Sequence, residues 1–466
     1  MQLSAETMNK VAARSPRPVT RELAEFAVGA TYASLPPEVI ERVRTDALDT
    51  IAVGILGHSH AWVKPATALW RELGGTPQAR LWGVGAKLPA PTAVLANSHA
   101  ANSFEFDDTY VWGGYGTHQG NNVVPAGVAV AELTGNVSGK NFLLALAIGH
   151  EIGVRVMRGF AKRRAGWNHT ALVSTFGAAA TAGRLLGLNV EQMTWALGSA
   201  GSYVGGALTM PPNSDVKRMV NGRAAEGGVI GALLARRGFS GIENILEARQ
   251  GGFYGLHAEA VDLDAIVDGI GETYHLVHLH TKRFPMCTSV HAPLEAACQL
   301  VSQHGINSDR VARIVVRTTS GAQSNTVGFE VSTIASAQMS LAFGVASAIK
   351  NGNVTAATVT EEALRDPELN RLMSIVEPVK DPKFDEMWRG TLGSGGPGQV
   401  EVTLRDGAVV RSSVVPEASR MTAREVEEKA QTTIEPIIGS ARSKRIVEFF
   451  QTVADADGLD TLIECL

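Results

Sequence analysis

The chain has 466 residues, 45% hydrophobic and 19% charged, with 42 Lys+Arg against 46 Asp+Glu and a formal charge of −4. That length predicts two or three domains around a large buried core, and the composition excludes a disordered chain. A near-neutral balance excludes the electrostatic footprint of a nucleic-acid or anionic-membrane partner, so an anionic substrate has to be held by local cations.

The N-terminal stretch MQLSAETMNKVAARSPRPVTRE is polar and has no apolar signal-peptide core. Arg14, Arg17 and Arg21 would suit a mitochondrial presequence, but Glu6 and Glu22 argue against one, and the expectation is a cytoplasmic protein. Residues 20–265 read mostly as helix. Pro36 and Pro37 open a segment whose apolar positions Val39, Ile40, Val43, Ala47, Leu48 and Ile51 recur at helical spacing. Residues 142–158 are apolar almost all round, as in a core helix, with Glu151 and Arg155 as an i,i+4 pair. Gly187 ends the next helix, and Asn189 with Gln192 predicts a capping box for the one after. The small-residue runs FGAAATAGRLLG and GRAAEGGVIGALLA let helices approach closely.

Past residue 270 the texture changes. Residues 312–320 predict a strand and 399–414 a hairpin turning at Asp406–Gly407, with helical patterns at 291–303 and 334–350 between them. Thr422 and Glu425 predict a capping box that returns the chain to helix. The division expected is a large all-helical domain (1–268 with 417–466) and a smaller α+β lid domain (269–416), a mainly α fold. GSGGPG at 393–398 reads as a flexible loop, since no strand–loop–helix frames it as a phosphate cradle. Cys287, Cys298 and Cys465 form no C-x-x-C pair, which argues against a zinc ribbon or an iron–sulfur cluster. No stretch approaches a charge-free membrane span of about 20 residues.

Three clusters carry chemistry. Residues 101–122 concentrate Glu105, Asp107, Asp108, Thr109 and His118 in a segment too glycine-rich for one regular helix. Acid, hydroxyl and imidazole together are what proton transfer needs; an Asp-capped helix start with a solvated loop is the plainer account. In GWNHTALVSTFGAA (166–179), Asn168 or His169 can cap a helix. An imidazole at that anion-attracting end would be held neutral, hence a base; an ordinary capping turn fits as well. The third is split between Lys217, ahead of a Gly/Ala-rich helix in 210–228, and Lys282, Cys287 and His291 within 279–293. Lone lysines are usually solvated, and a packed thiol is the ordinary account of Cys287.

Taken in order, the segments ALDTIAVGILG, NSFEFDDTY, AIGHEIGVRV, NHTALVSTFGAAATAGRLLGLN, VKRMVNGRAAEGGVIGALLARRGFSG and KRFPMCTSVHAPLEAA resemble the MmgE/PrpD family. That family contains 2-methylcitrate dehydratases, cis-aconitate decarboxylases and an iminodisuccinate epimerase. The resemblance implies a site between a helical domain and a lid-like α+β domain, a homodimer, and a cofactor-free, metal-independent lyase on a small di- or tricarboxylate. Carried over residue by residue, it points to Thr109, His118, His169, Lys217 and Lys282. The expected roles are His118 and His169 as the proton-transfer pair, with Glu105 or Asp108 orienting an imidazole. Lys217 and Lys282 bind substrate carboxylates, with Lys282 coupling lid closure to binding, and His150, Cys287 and His291 add to the substrate pocket. Three positions depart from the family pattern: Glu105 for an Asp, Gln119 for the Pro after His118, and His150 for a Tyr. An epimerase of a substituted succinate and a non-catalytic carboxylate-binding protein are the competing readings.

Overall fold

The computed structural model describes residues 17–112, 115–207, 214–248, 250–388 and 395–466. The larger part is helical. Its first long helix, α1 (Pro37–Ser59), starts on Pro37, whose missing N–H costs nothing in the first turn. It is followed by α2 (Ala90–Asn102), then strands β1 (Asp108–Trp112) and β2 (Tyr115–Thr117). Next come α3 (Gly120–Thr134), α4 (Gly139–Arg158), β3 (Phe160–Arg163), α5 (His169–Leu185), α6 (Val190–Ala200) and α7 (Val216–Arg236). Asn189 and Gln192 form the capping box at the start of α6.

The small residues do what their size allows. A Cβ on Gly149 of α4 would lie 2.8 Å from the Gly177 carbonyl of α5, and one on Gly177 would lie 2.7 Å from the Gly149 carbonyl. Neither site accepts a side chain, so the two backbones meet directly. The Glu151–Arg155 pair on α4 is fully buried, and Arg155 also donates to the carbonyls of Ile266, Asp268, Gly269 and Thr273. One guanidinium thus satisfies the end of the short helix Asp264–Val267 and the turn that follows it.

A short strand, β4 (His280–Thr281), pairs antiparallel with β1, giving the sheet order β2-β1-β4. The smaller part follows: α8 (His291–His304), β5 (Val311–Thr318), α9 (Ser320–Thr326), α10 (Ile334–Met339), α11 (Leu341–Asn351), β6 (Val376–Lys380), β7 (Gly398–Leu404) and β8 (Val409–Arg411). Its sheet runs β8-β7-β5-β6, antiparallel except for the parallel β5–β6 pair, with α8 against β7 and α11 against α8. The hairpin turns where expected, with Gly407 at φ +88°. The single helix expected over 334–350 is broken: Ser340 sits at ψ 120° and its hydroxyl accepts from the Phe343 N–H, capping α11. Finally α12 (Ala423–Ile438) starts on the Thr422–Glu425 capping box and packs on α1.

Separate cores serve the two parts. Phe104 and Phe106, which flank Glu105, belong to the core of the smaller part, with Phe284, Leu294 and Phe343. The segment carrying the acidic cluster is thereby wedged between both. Among the described residues, no helix is long and apolar enough to cross a membrane.

Candidate active site

The segment 101–122, expected not to be one regular helix, is a helix end, a turn, a hairpin and a new helix start that Asp108 caps, as the plainer account had it. Glu105 stands in the turn at φ +52°, a left-handed conformation rare for a side chain of this size. It is held there from three sides. Its carboxylate takes Lys217 and Arg218 of α7 on Oε1 and Lys282, at 2.9 Å, on Oε2. Burial alone would raise this carboxyl; Lys217, Lys282 and Arg218 instead hold it well below the usual carboxylate range.

Asp107 is the second buried acid. It accepts from the Asn102 amide at 2.8 Å and the Asn121 amide at 2.7 Å, and its other oxygen lies 3.2 Å from the Lys282 ammonium. Burial opposes its charge, but Lys282 and His118 draw it down to about 2. Three cations therefore face two carboxylates, which leaves one positive charge in excess at the cavity's base.

His118 ends the hairpin. Its Nδ1 lies 2.5 Å from the Asp108 carbonyl and 3.6 Å from the Asp107 carboxylate. A carbonyl only accepts, so Nδ1 carries the hydrogen and the neutral ring keeps its lone pair on Nε2. His169 is the first residue of α5, whose cap is the Asn168 side chain accepting from the Ala171 N–H. Its Nδ1 donates to the Gly116 carbonyl at 3.3 Å, which gives the same tautomer. Burial lowers both imidazoles, and the neighbouring Arg163 helps to bring His169 down to about 3. Both rings are uncharged near neutral pH, so both are bases.

These groups share one cavity of about 280 Å³, room for a small organic acid, lined by Glu105, Thr109, His118, His169 and Lys217. Asn102, Asn168, Asn221 and Arg163 complete its wall on the helical side. Cys287, Thr288, Ser289, Asn325, Met339 and Trp388 close it from the smaller part, as does Gly395 from the glycine-rich run whose first residues, 393 and 394, lie outside the described residues. Residues 210–213, ahead of Lys217, also lie outside them.

Several sequence expectations need correction. Lys282 is fully buried behind Glu105 and Asp107 and does not line the cavity. The residue before it is paired to β1, so Lys282 sits beside the hairpin that carries the acids and not in the sheet of the smaller part. The Asp108 side chain does not orient an imidazole. It caps α3, accepting from the Gln119 and Gly120 N–H groups at 3.0 Å each, and burial with Asp46 and Asp107 nearby raises it well above the usual range. His150 is buried in α4 with Nε2 3.1 Å from Asp46, away from the cavity. His291 is spent on the Met286 carbonyl at 3.1 Å and the Phe284 ring, and it does not line the cavity either. Cys287 does line it, but burial and then Glu105 raise its thiol, so it stays protonated.

Asp107 was counted in the acidic cluster but given no role, and Arg218 was missing from the sequence-derived site. A double acid followed by Thr, and a Lys-Arg pair opening a helix, carry no mark of which member turns inward. Ligand atoms of Asp107, Asp108 and His118 come within 4.8 Å of one another, the spacing of a metal site. The donor set fits a cation poorly: the Lys282 ammonium already sits against Asp107, and His118 Nδ1 carries a hydrogen bonded to a carbonyl.

A buried acid pair clamped by cations thus lies beside a small cavity that two neutral imidazoles line. The MmgE/PrpD N-terminal domain family matches residues 21–264 and the MmgE/PrpD C-terminal domain family matches residues 284–455. The chain belongs to the MmgE/PrpD family. Similar proteins include the cis-aconitate decarboxylase of Aspergillus terreus, 27% identical over 420 residues, covering 85% of this chain and 84% of the relative. The Homo sapiens cis-aconitate decarboxylase is 28% identical over 412 residues, covering 84% and 81%. The mitochondrial 2-methylcitrate dehydratase of Yarrowia lipolytica is 26% identical over 289 residues, covering 58% and 53%.

Proposed function

We propose that the protein is a cofactor-independent lyase that removes CO₂ or water from a small di- or tricarboxylate by proton transfer. The observation that carries this reading is the pairing, at one cavity, of two neutral imidazoles with Lys217, which belongs to a cluster of three cations on two buried carboxylates. Lys217, the one of the three Glu105-bound cations that lines the cavity among the described residues, takes a substrate carboxylate. Charge that develops next to that carboxylate is stabilised by the cation cluster, which is already in place before the reaction. In dehydration, His169 or His118 takes the proton beside the carboxylate and the leaving hydroxide is protonated by Lys217, whose ammonium burial and Arg218 make more acidic. In decarboxylation, the electron pair of the breaking C–C bond stays on the carbon skeleton as CO₂ leaves, and the same Lys217 ammonium supplies the proton that the skeleton takes up. Decarboxylation is the first to test, because the relatives with that name align over more than four-fifths of both chains.

Proton NMR in D₂O of the chelator-treated protein with cis-aconitate, citrate and 2-methylcitrate tests the reading. New vinyl signals are expected, and their pattern separates loss of CO₂ from loss of water. Activity is expected to survive chelation. No new signal across that panel from a folded sample would refute the reading. Two neutral bases in one cavity also equip an epimerase, in which case substituted succinates would gain deuterium with the skeleton unchanged.

The imidazoles set a pH prediction. The working form is the neutral ring, and burial holds both rings below the ordinary value of about 6.5. The acid limb of kcat/KM is therefore expected below pH 6.5; a limb at or above it would contradict the assignment of neutral bases.

A further inference from the structure

Behind the cavity lies a charged group that the chemistry above does not use. Lys429, on α12, is 8% exposed and pairs with Asp49 of α1 at 2.8 Å. Its ammonium also donates to the Phe106 carbonyl at 2.8 Å and the Lys282 carbonyl at 2.9 Å, and it sits 3.7 Å from the centre of the Phe106 ring. An ammonium has three hydrogens, and here three acceptors come from three separate parts of the chain.

Two of those acceptors matter for the site. Phe106 lies between Glu105 and Asp107, and Lys282 is the residue whose own ammonium reaches both of those acids. A single buried charge thus ties together the two backbone segments whose side chains form the ion cluster. A simple bond between α1 and α12 would not need this arrangement. Apolar side chains of similar volume do that work as well or better, since a buried pair gives back much of its attraction as lost solvation.

We propose that Lys429 is a positioning residue, which sets the spacing of Lys282 from Glu105 and Asp107 by holding the Phe106 and Lys282 carbonyls on one ammonium. The kinetic half of its test rests on the lyase reading. Asp49 faces Lys429 from α1, and Asp46, Asp107 and Lys282 are the other charged groups around the pair; burial raises Asp49 to about 6 even with Lys429 beside it.

Three variants separate positioning from plain stability. Lys429→Met strands Asp49 and is expected to lower both Tm and kcat. The double variant Lys429→Met/Asp49→Asn removes the stranded charge, and its Tm is expected to return toward wild type while kcat stays at least about tenfold down, as a misplaced cluster requires. Lys429→Arg keeps the pair with Asp49 but not the compact three-way grip. It is expected to stay folded and to lose kcat by more than KM rises. Recovery of both Tm and kcat in the double variant, or wild-type kcat in Lys429→Arg, would overturn the proposal. If wild type turns over none of the carboxylates in the panel, the lyase reading fails on its own. A crystal structure of the double variant then decides: displacement of the Lys282 ammonium from Glu105 or Asp107 supports positioning, and an unchanged cluster overturns it.

Discussion

Replacement of His169 by Ala is expected to lower kcat by about 10²–10⁴-fold, the usual contribution of one positioned acid or base. The fold should survive. The α5 cap is provided by Asn168, and the imidazole's bond to the Gly116 carbonyl at 3.3 Å is long. Tm is therefore expected to shift by less than that of a core variant, and far-UV circular dichroism to remain unchanged. Steady-state kinetics on whichever carboxylate the NMR panel identifies provides the check. A variant with near wild-type turnover would remove His169 from the chemistry and leave His118 to act alone.

The second large effect is on stability. Glu105→Gln keeps the shape of the side chain and removes the charge that Lys217, Arg218 and Lys282 share. Lys282 retains Asp107, but Arg218 is left with the Asn102 carbonyl and Gln338 at 3.3 Å each. Breaking a buried pair from one side costs about 3–5 kcal/mol, and the strained backbone at φ +52° loses the ligands that hold it there. Chemical denaturation at pH 7 should show a loss of that size. The wild-type protein should show the same dependence through pH. Glu105 and Asp107 both have folded pKa values below their unfolded ones, so their contribution is complete above the unfolded values of about 4 and falls away as pH drops toward the folded ones. In Glu105→Gln the acid loss should be smaller, since one of the two acids is gone. An unchanged denaturation midpoint would mean that the three cations find other partners.

Much of this fold was legible in the chain. The periodic segment opened by Pro36 and Pro37, the apolar run 142–158, the capping boxes at Asn189 and Thr422 and the Asp406–Gly407 turn are local signals with local causes, and they occur as helices, caps and a turn. The break at Ser340 was hidden because a serine inside an apolar helical pattern reads as a tolerated polar residue until its hydroxyl is seen to cap. The parallel strand Val376–Lys380 was missed for another reason. Its partner lies some sixty residues earlier, and its alternation is broken by Pro378.

At the site, residue type was readable and direction was not. His118, His169, Thr109, Glu105 and Lys217 gather at one cavity. His150 and His291 carry the same imidazole but turn into packed surroundings, where Asp46 and a main-chain carbonyl occupy them. Only long-range packing decides which way such a ring faces. Asp107 and Asp108 make the point most plainly: adjacent at the start of one strand, one meets a lysine and two amides and is drawn to about 2, while the other is pushed up by burial and then by Asp46 and Asp107.

The pairing of β4 with β1 also divides the labour between the two walls of the cleft. Every ionised group of the cluster, Lys282 included, rides on the helical side. Among the described residues, the facing wall offers a thiol, two hydroxyls, an amide, a thioether and an indole, all neutral. Parting the two halves would leave that cluster intact on one side, but it would have to break the bridge that Arg283 makes between Glu425 of α12 and Glu295 of α8. Added salt should then weaken that bridge and the hold of Lys217 on an anion alike, so affinity for a carboxylate should fall as ionic strength rises.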